Sequence, residues 1–241
     1  MNIAEYFGKT RGTWPKVGVA GVESEWMDAG TLEVPSGELW AGDPWVVDKR
    51  NGCAVRLPKG TYRVQVKGMD FKGHRRTARV RAFLKGSGKP ALGEACGRTG
   101  TDCGWISLFD LAPYKKAVTA RRAAEYESDL TDITKMDGMG VMRLDYGGKS
   151  FEMALQPSGL GDGTFNVYPL QVKGKTVGME VEFLPPGFKL DREVPRSAGA
   201  GRRSQRRRTR RAGGGPGSSC GPARRGRSTW SSGCSRRIRD S

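Results

Sequence analysis

The sequence predicts a mainly β protein (β-rich α+β) with sandwich-like or strongly bent antiparallel sheets, one main helix and a disordered C-terminal tail. Three observations carry this. Short runs that alternate apolar and polar residues recur between Gly- and Pro-containing turns, as expected of many short strands. One long stretch with helical patterning, Tyr114 to Leu130, contains neither Gly nor Pro. Toward the end the composition changes to Arg, Gly, Ser and Pro, which cannot bury a core.

Residues 1–30 scatter Tyr6, Phe7, Trp14, Val17, Val19 and Trp26 among glycines and charges. They read as an irregular or weakly helical lead-in covering an edge of the core. Thr31 to Val34 is a short strand, Pro35-Ser36-Gly37 a turn, Glu38 to Ala41 a second strand, and Gly42-Asp43-Pro44 another turn. Ala54–Leu57 and Thr61–Val66 are expected to form a hairpin about Pro58-Lys59-Gly60, with Tyr62, Val64 and Val66 on one face. Thr77 to Leu84 alternates again, Ala78, Val80, Ala82 and Leu84 inward and Arg79 and Arg81 outward. A Gly-rich loop fills 86–104, and Trp105–Phe109 is a strand. The helix starts behind Asp110, with Pro113 in its first turn and Tyr114, Ala117 and Val118 on the buried face. Met139–Tyr146 and Ser150–Leu155 form a hairpin over Gly147-Gly148.

The most sharply patterned segment is the last. Gly161-Asp162-Gly163 requires a tight turn, because glycine accepts positive φ and Asp bonds its own backbone. Lys173-Gly174-Lys175 reverses the chain, and the next strand places Val177, Met179, Val181 and Phe183 on one face and Thr176, Gly178, Glu180 and Glu182 on the other. Residues 1–187 are thus read as a single β-rich globular domain and 188–241 as the tail.

Charge divides the same way. Residues 196–241 hold 14 Arg, no Lys and one acid, Asp240, and so about +13 of the formal +17; the body is near balance at +4. The basic charge therefore assigns no nucleic-acid role to the domain, and nucleic acid is a partner only through the tail. Arg, Gly, Ala and Pro have GC-rich codons, so an out-of-frame reading of a GC-rich gene is the competing origin of the tail. No apolar run of about 18 residues occurs, so no membrane association is expected. Met1–Lys16 lacks the apolar core of a signal peptide, and five cysteines without close pairs form no disulfide framework, so the cytoplasm is the expected compartment.

Several segments occur in a recognisable order: Val34-Pro35-Ser36-Gly37-x-Leu39, Gly42-Asp43-Pro44, Leu57-Pro58-x-Gly60-x-Tyr62-x-Val64, Asp102-Cys103-Gly104 with Asp110, and Ser158-Gly159-x-Gly161-Asp162-Gly163 with the Tyr168 strand. Over residues 30–184 this resembles the bacterial family known as domain of unknown function 4241. The resemblance implies a bacterial cytosolic domain and no established activity. The chain departs from the family pattern at Thr101-Asp102-Cys103-Gly104, where Gly-x-Gly-Cys or a similar run is expected.

The candidate catalytic residues are Asp43, Asp102, Cys103, Asp110 and Asp162. The carboxylates can converge for acid–base work or cation binding, or each can cap its own turn. Cys103 is a nucleophile only with a base, and His74, the single histidine, sits in a charged turn where a solvated side chain is expected. Cys96 and Cys103 lack zinc-pair spacing, no phosphate-cradling Gly loop ending in Lys-Ser/Thr occurs, and no cofactor or metal is expected. Arg75, Arg76, Arg79 and Arg81 read as one basic strand face, either solvated or facing an anionic partner. The function expected first is a non-catalytic protein-binding module, an immunity-type or accessory factor with an unknown protein partner. The alternatives are a hydrolase or metal-dependent enzyme using the carboxylates, and nonspecific nucleic-acid binding by the tail.

Overall fold

Two antiparallel sheets carry the fold in the computed structural model, which describes residues 2–8, 17–136 and 138–191. In chain order the elements are α1 (Ile3–Gly8), β1 (Val22–Val34), β2 (Glu38–Gly42), β3 (Gly52–Arg56), β4 (Gly60–Phe71), β5 (His74–Leu84), β6 (Ala91–Leu92), β7 (Gly97–Thr101) and β8 (Trp105–Asp110). Next come α2 (Leu111–Ala117), a 3-10 turn (Ala120–Arg122), α3 (Ala123–Lys135), β9 (Gly140–Asp145), β10 (Ser150–Pro157), β11 (Gly163–Val172) and β12 (Lys175–Glu182). The larger sheet runs β1-β4-β5-β12-β11-β6 with β7 also on β11, and the smaller runs β3-β2-β8-β10-β9.

Prolines stand at the first two places where the chain changes sheet. The turn at 35–37 carries it from β1 in the larger sheet to β2 in the smaller, and the turn at 58–60 carries it back from β3 to β4. The expected hairpin about Pro58 is therefore absent: β3 pairs with β2, and β4 with β1 and β5. Each proline removes a ladder donor and restricts the residue before it, so these segments serve as corners. The two corners brace each other, with Leu57 N donating to Gly37 O at 2.8 Å and Tyr62 OH to Pro58 O.

The smaller sheet is buried on both faces. Leu39, Ala41, Ile106, Leu108 and Ala154 meet Tyr62, Val64, Val66, Met179 and Val181 of the larger sheet. Their strand neighbours Trp40, Phe109, Met153 and Leu155 point away, under Tyr114, Tyr126 and Leu130 of the helices. The helical region thus covers a face of the smaller sheet. It is also interrupted. α2 stops at Val118, whose φ of −93° and ψ of 81° leave the helical region, before Thr119 and the 3-10 turn lead into α3. Adjacent β-branched residues disfavour helix continuation at that point.

Four further expectations change. Residues 22–30 extend β1 to 13 residues, and the Gly-rich stretch of 86–104 contains β6 and β7. The body extends past 187: Leu190 is buried, Gly21 N donates to Phe188 O at 2.9 Å, and Ala20 bridges Lys189. The basic face is split by a bulge, because Lys67 opposes Arg79 but Gly68 opposes Thr77, leaving Ala78 unpaired. Arg75 therefore shares the core-side face with Thr77, while Arg79 and Arg81 face outward. There Arg79 pairs with Glu23, Glu180 and Glu182, and Arg81 stacks 3.8 Å above Trp26. The fold also brings Cys53 of the smaller sheet against Gly97, the residue after Cys96, where a methyl group would lie 2.6 Å from Cys53 Sγ.

The strand phase of β12 is as expected, with Val177, Met179, Val181 and Phe183 all buried. Its reversal also holds: Lys173 and Gly174 have φ of 50° and 76°. Glu180 on the other face is nevertheless 3% exposed, because Arg79 caps it. Burial holds its carboxyl above the usual range despite that guanidinium. No helix among the described residues is long and apolar enough to cross a membrane. The tail and its expected disorder lie outside the described residues.

Candidate functional site

Three loops meet at one end of the sheets: the turn after β2, the β7–β8 turn and the β10–β11 loop. Each brings one of the motif segments. Asp43, 1% exposed, accepts hydrogen bonds from Trp45 N at 2.8 Å, Thr101 Oγ1 at 2.9 Å and Asp102 N at 3.2 Å. Gly104, with φ of 74°, presents its carbonyl to Ser158 N at 2.9 Å. A methyl group at that glycine would lie 3.6 Å from Gly161 Cα and 3.9 Å from Asp162 Oδ1. The β10–β11 loop is closed internally by Ser158 Oγ donating to Gly161 O at 2.7 Å.

The fold therefore gathers Asp43, Asp102, Cys103 and Asp162. Asp102 and Asp162 are exposed. The Asp102 carboxyl is raised above the usual range, first by burial, then by its hydrogen bond with and repulsion from Asp43, and by Asp162. Cys103 Sγ lies 3.1 Å from Thr101 Oγ1 and 3.8 Å from Trp105 O. Burial, aided by the Asp43 carboxylate, pushes its thiol far up, the opposite of an activated nucleophile. Among the described residues no three His, Cys, Asp or Glu side chains are grouped to hold a metal ion.

Asp110 stands apart, because β2 and β8 run antiparallel with Leu39 opposite Asp110 and Gly42 opposite Ser107. Asp43 thus lies about 13 Å along the sheet from it at the usual strand rise. Asp110 caps α2 by accepting from Ala112 N at 3.0 Å, and it holds the first corner through Ser36 N at 2.6 Å and Ser36 Oγ at 2.5 Å. His74 is not the solvated residue expected. It opposes Phe71 on β4, is buried, and has its pKa lowered by burial and by Arg76. β12 and β11 separate its strand from the one leading to Cys103, roughly 14 Å at ordinary strand spacing, so the two form no catalytic pair.

A second feature was not legible in the sequence. A groove of about 950 Å³ opens between the sheets beside α1, with Ile3, Phe7, Met139 and Val141 as its apolar wall. Thr77 lines it, 1% exposed, its Oγ1 without a hydrogen-bond partner. Gln156, next to the lining residue Pro157 and fully buried, has both side-chain polar atoms unpaired. On the rim Arg75 is held by Asp70 at 3.1 Å and by Tyr6 O at 2.7 Å. The only sequence signal was an isolated Gln ending the apolar alternation of 151–155.

Comparison with family models, with curated proteins and with solved structures finds no match for the chain.

Proposed function

We propose that the chain is a non-catalytic binding module, an immunity-type or accessory factor, that receives an extended apolar segment of another protein in the groove between its sheets. The observation that carries this reading is the groove itself. Its volume is near the upper end for small-ligand pockets, it opens to solvent, and its lining joins an apolar wall to Thr77, whose buried hydroxyl has no partner. The polar groups of the loop junction, by contrast, are largely consumed in holding the loops. The test is a pull-down from the native bacterium with the full chain and two variants. A partner recovered by the unaltered chain and by Asp102→Asn, but lost with Met139→Glu, supports the reading. Equal recovery with Met139→Glu overturns it.

A second reading is favoured by the convergence of Asp43, Asp102 and Asp162, where the raised Asp102 carboxyl suits a general acid. Hydrolysis of ester or glycoside substrates that disappears in Asp102→Asn, with folding retained, would put this reading first. The likeness to domain of unknown function 4241 is also kept as a proposal, supported by the meeting of three of its motif segments at one junction. Nucleic-acid binding belongs to the arginines of 196–241. It should vanish on truncation after residue 191 and fall with salt with a log–log slope of about −4 to −5, for about six neutralised phosphates.

A further inference from the structure

Cys53 lies on β3, opposite Ala41 of the smaller sheet, and Cys96 immediately precedes β7 of the larger. Folding sets them side by side. A methyl group at Gly97, the residue after Cys96, would sit 2.6 Å from Cys53 Sγ. The Cys96 thiol donates to Val167 O at 3.5 Å, and the two thiols lie near enough for each to act on the other's ionisation. Backbone bonds on either side hold the pair in register: Cys96 N donates to Val167 O at 2.9 Å, and Gly100 N to Asn51 O at 3.0 Å. Cys96 is exposed, whereas Cys53 is half-buried.

We propose that Cys53 and Cys96 are a redox-active dithiol, oxidised reversibly by a small disulfide such as glutathione disulfide to an intramolecular bond joining the edges of the two sheets. The unequal exposure assigns the roles. Cys96 meets the oxidant. Its thiolate attacks one sulfur of the glutathione disulfide, that S–S bond breaks, and one glutathione thiolate leaves and is protonated. Cys53 then loses its proton to solvent and attacks Cys96 Sγ, expelling the second glutathione as a thiol. Two electrons pass from the cysteines to glutathione disulfide, and two protons pass through solvent to the two glutathione thiols. Burial raises both thiols, Cys53 to about 11, while the neighbouring Cys53 side chain acts on Cys96 in the lowering direction, in keeping with this order. Cys103, half-buried like Cys53, has no second thiol beside it among the described residues.

The bond would tie β3 to the start of β7, whose far end carries Thr101 and Asp102 of the loop junction. Closing the long loop between 53 and 96 should raise the Tm by about 5–10 °C.

The test treats the reduced full-length chain with glutathione disulfide and maps its cysteines by peptide mass spectrometry, which also separates Cys220 and Cys234. A Cys53–Cys96 cross-link that dithiothreitol reverses is the expected result. Cys53→Ser should trap glutathione on Cys96, and Cys96→Ser should slow modification at Cys53 by about tenfold or more. If the unaltered chain keeps glutathione on Cys96 without forming the cross-link, or leaves both thiols free, the dithiol is overturned. A cross-link that leaves the Tm unchanged overturns the stapling of the sheets.

Discussion

At the loop junction Asp43 is 1% exposed and receives three hydrogen bonds, whereas beside the groove Thr77, equally buried, has a hydroxyl with no partner. Gln156 repeats the contrast with both ends of its amide. Nearly all buried polar groups in folded proteins are paired, so the satisfied set and the orphaned set carry different information. The junction gathers acids as a catalytic centre would, yet Asp43 spends its oxygens on the backbone and on Thr101. The groove has charged residues at its lining too, Asp28, Arg75 and Arg76, yet beside them it leaves the hydrogen-bonding capacity of Thr77 unused. Convergence of acids is therefore a weaker sign of function here than unmet bonding in the interior.

The largest test of this contrast is Asp43→Ala. Three donors would lose a buried acceptor, and stability should fall by about 3 kcal/mol in urea unfolding. A loss under about 1 kcal/mol would show that the junction does not depend on that carboxylate. Asp110→Ala should cost about 2 kcal/mol, because it removes the cap of α2 and the tie to Ser36 together. Thermal melts of Asp110→Ala and Ser36→Ala would separate the two contributions.

Thr77 in the groove and Gln156 next to it should respond in the opposite direction. Gln156→Leu and Thr77→Val remove unpaired polar atoms while roughly keeping shape, and each should raise stability by up to about 1 kcal/mol. A loss at either position would show that ordered water satisfies those groups, and it would remove the contrast with the junction.

The smallest effect concerns pH. Because the folded Asp102 carboxyl titrates above the ordinary range, the folded chain binds its proton more readily than the unfolded chain does. Its contribution to stability is full below the ordinary carboxylate pKa of about 3.9 and is lost as pH rises through the folded value. Asp102→Asn should flatten the stability profile in that acidic window. An unchanged slope would mean that neither burial nor Asp43 and Asp162 shift the Asp102 carboxyl.

Much of the fold was readable because its signals are local. The alternation at Val177, Met179 and Val181 placed β12 correctly, Gly161 takes the positive φ of 119° that its turn requires, and Asp110 caps a helix as its position implies. β7 was missed because Gly97-Arg98-Thr99-Gly100-Thr101 has no large apolar residue. Its place depends on pairing with β11 and on Thr99 donating to Ala41 O at 2.9 Å. The split helix carries no Gly or Pro signal, because Val118-Thr119 ends α2 through its own backbone angles.

Periodicity, turn chemistry and charge balance depend on a few neighbouring residues, so the sequence by itself determined the β class, the positions of most strands and the contrast between a near-neutral body and an arginine-rich end. Partner choice depends on residues far apart in the chain, and only the tertiary structure decided it. Two proline corners sent β2 and β3 to a different sheet from β1 and β4. One unpaired residue, Ala78, turned Arg75 away from Arg79 and Arg81. Three loops brought Asp43 to Asp102 and Asp162, and two sheet edges brought Cys53 to Cys96. Whether a buried side chain finds its hydrogen bond is likewise settled by residues distant in sequence, which is why the unpaired groups of Thr77 and Gln156 emerged only from the folded chain.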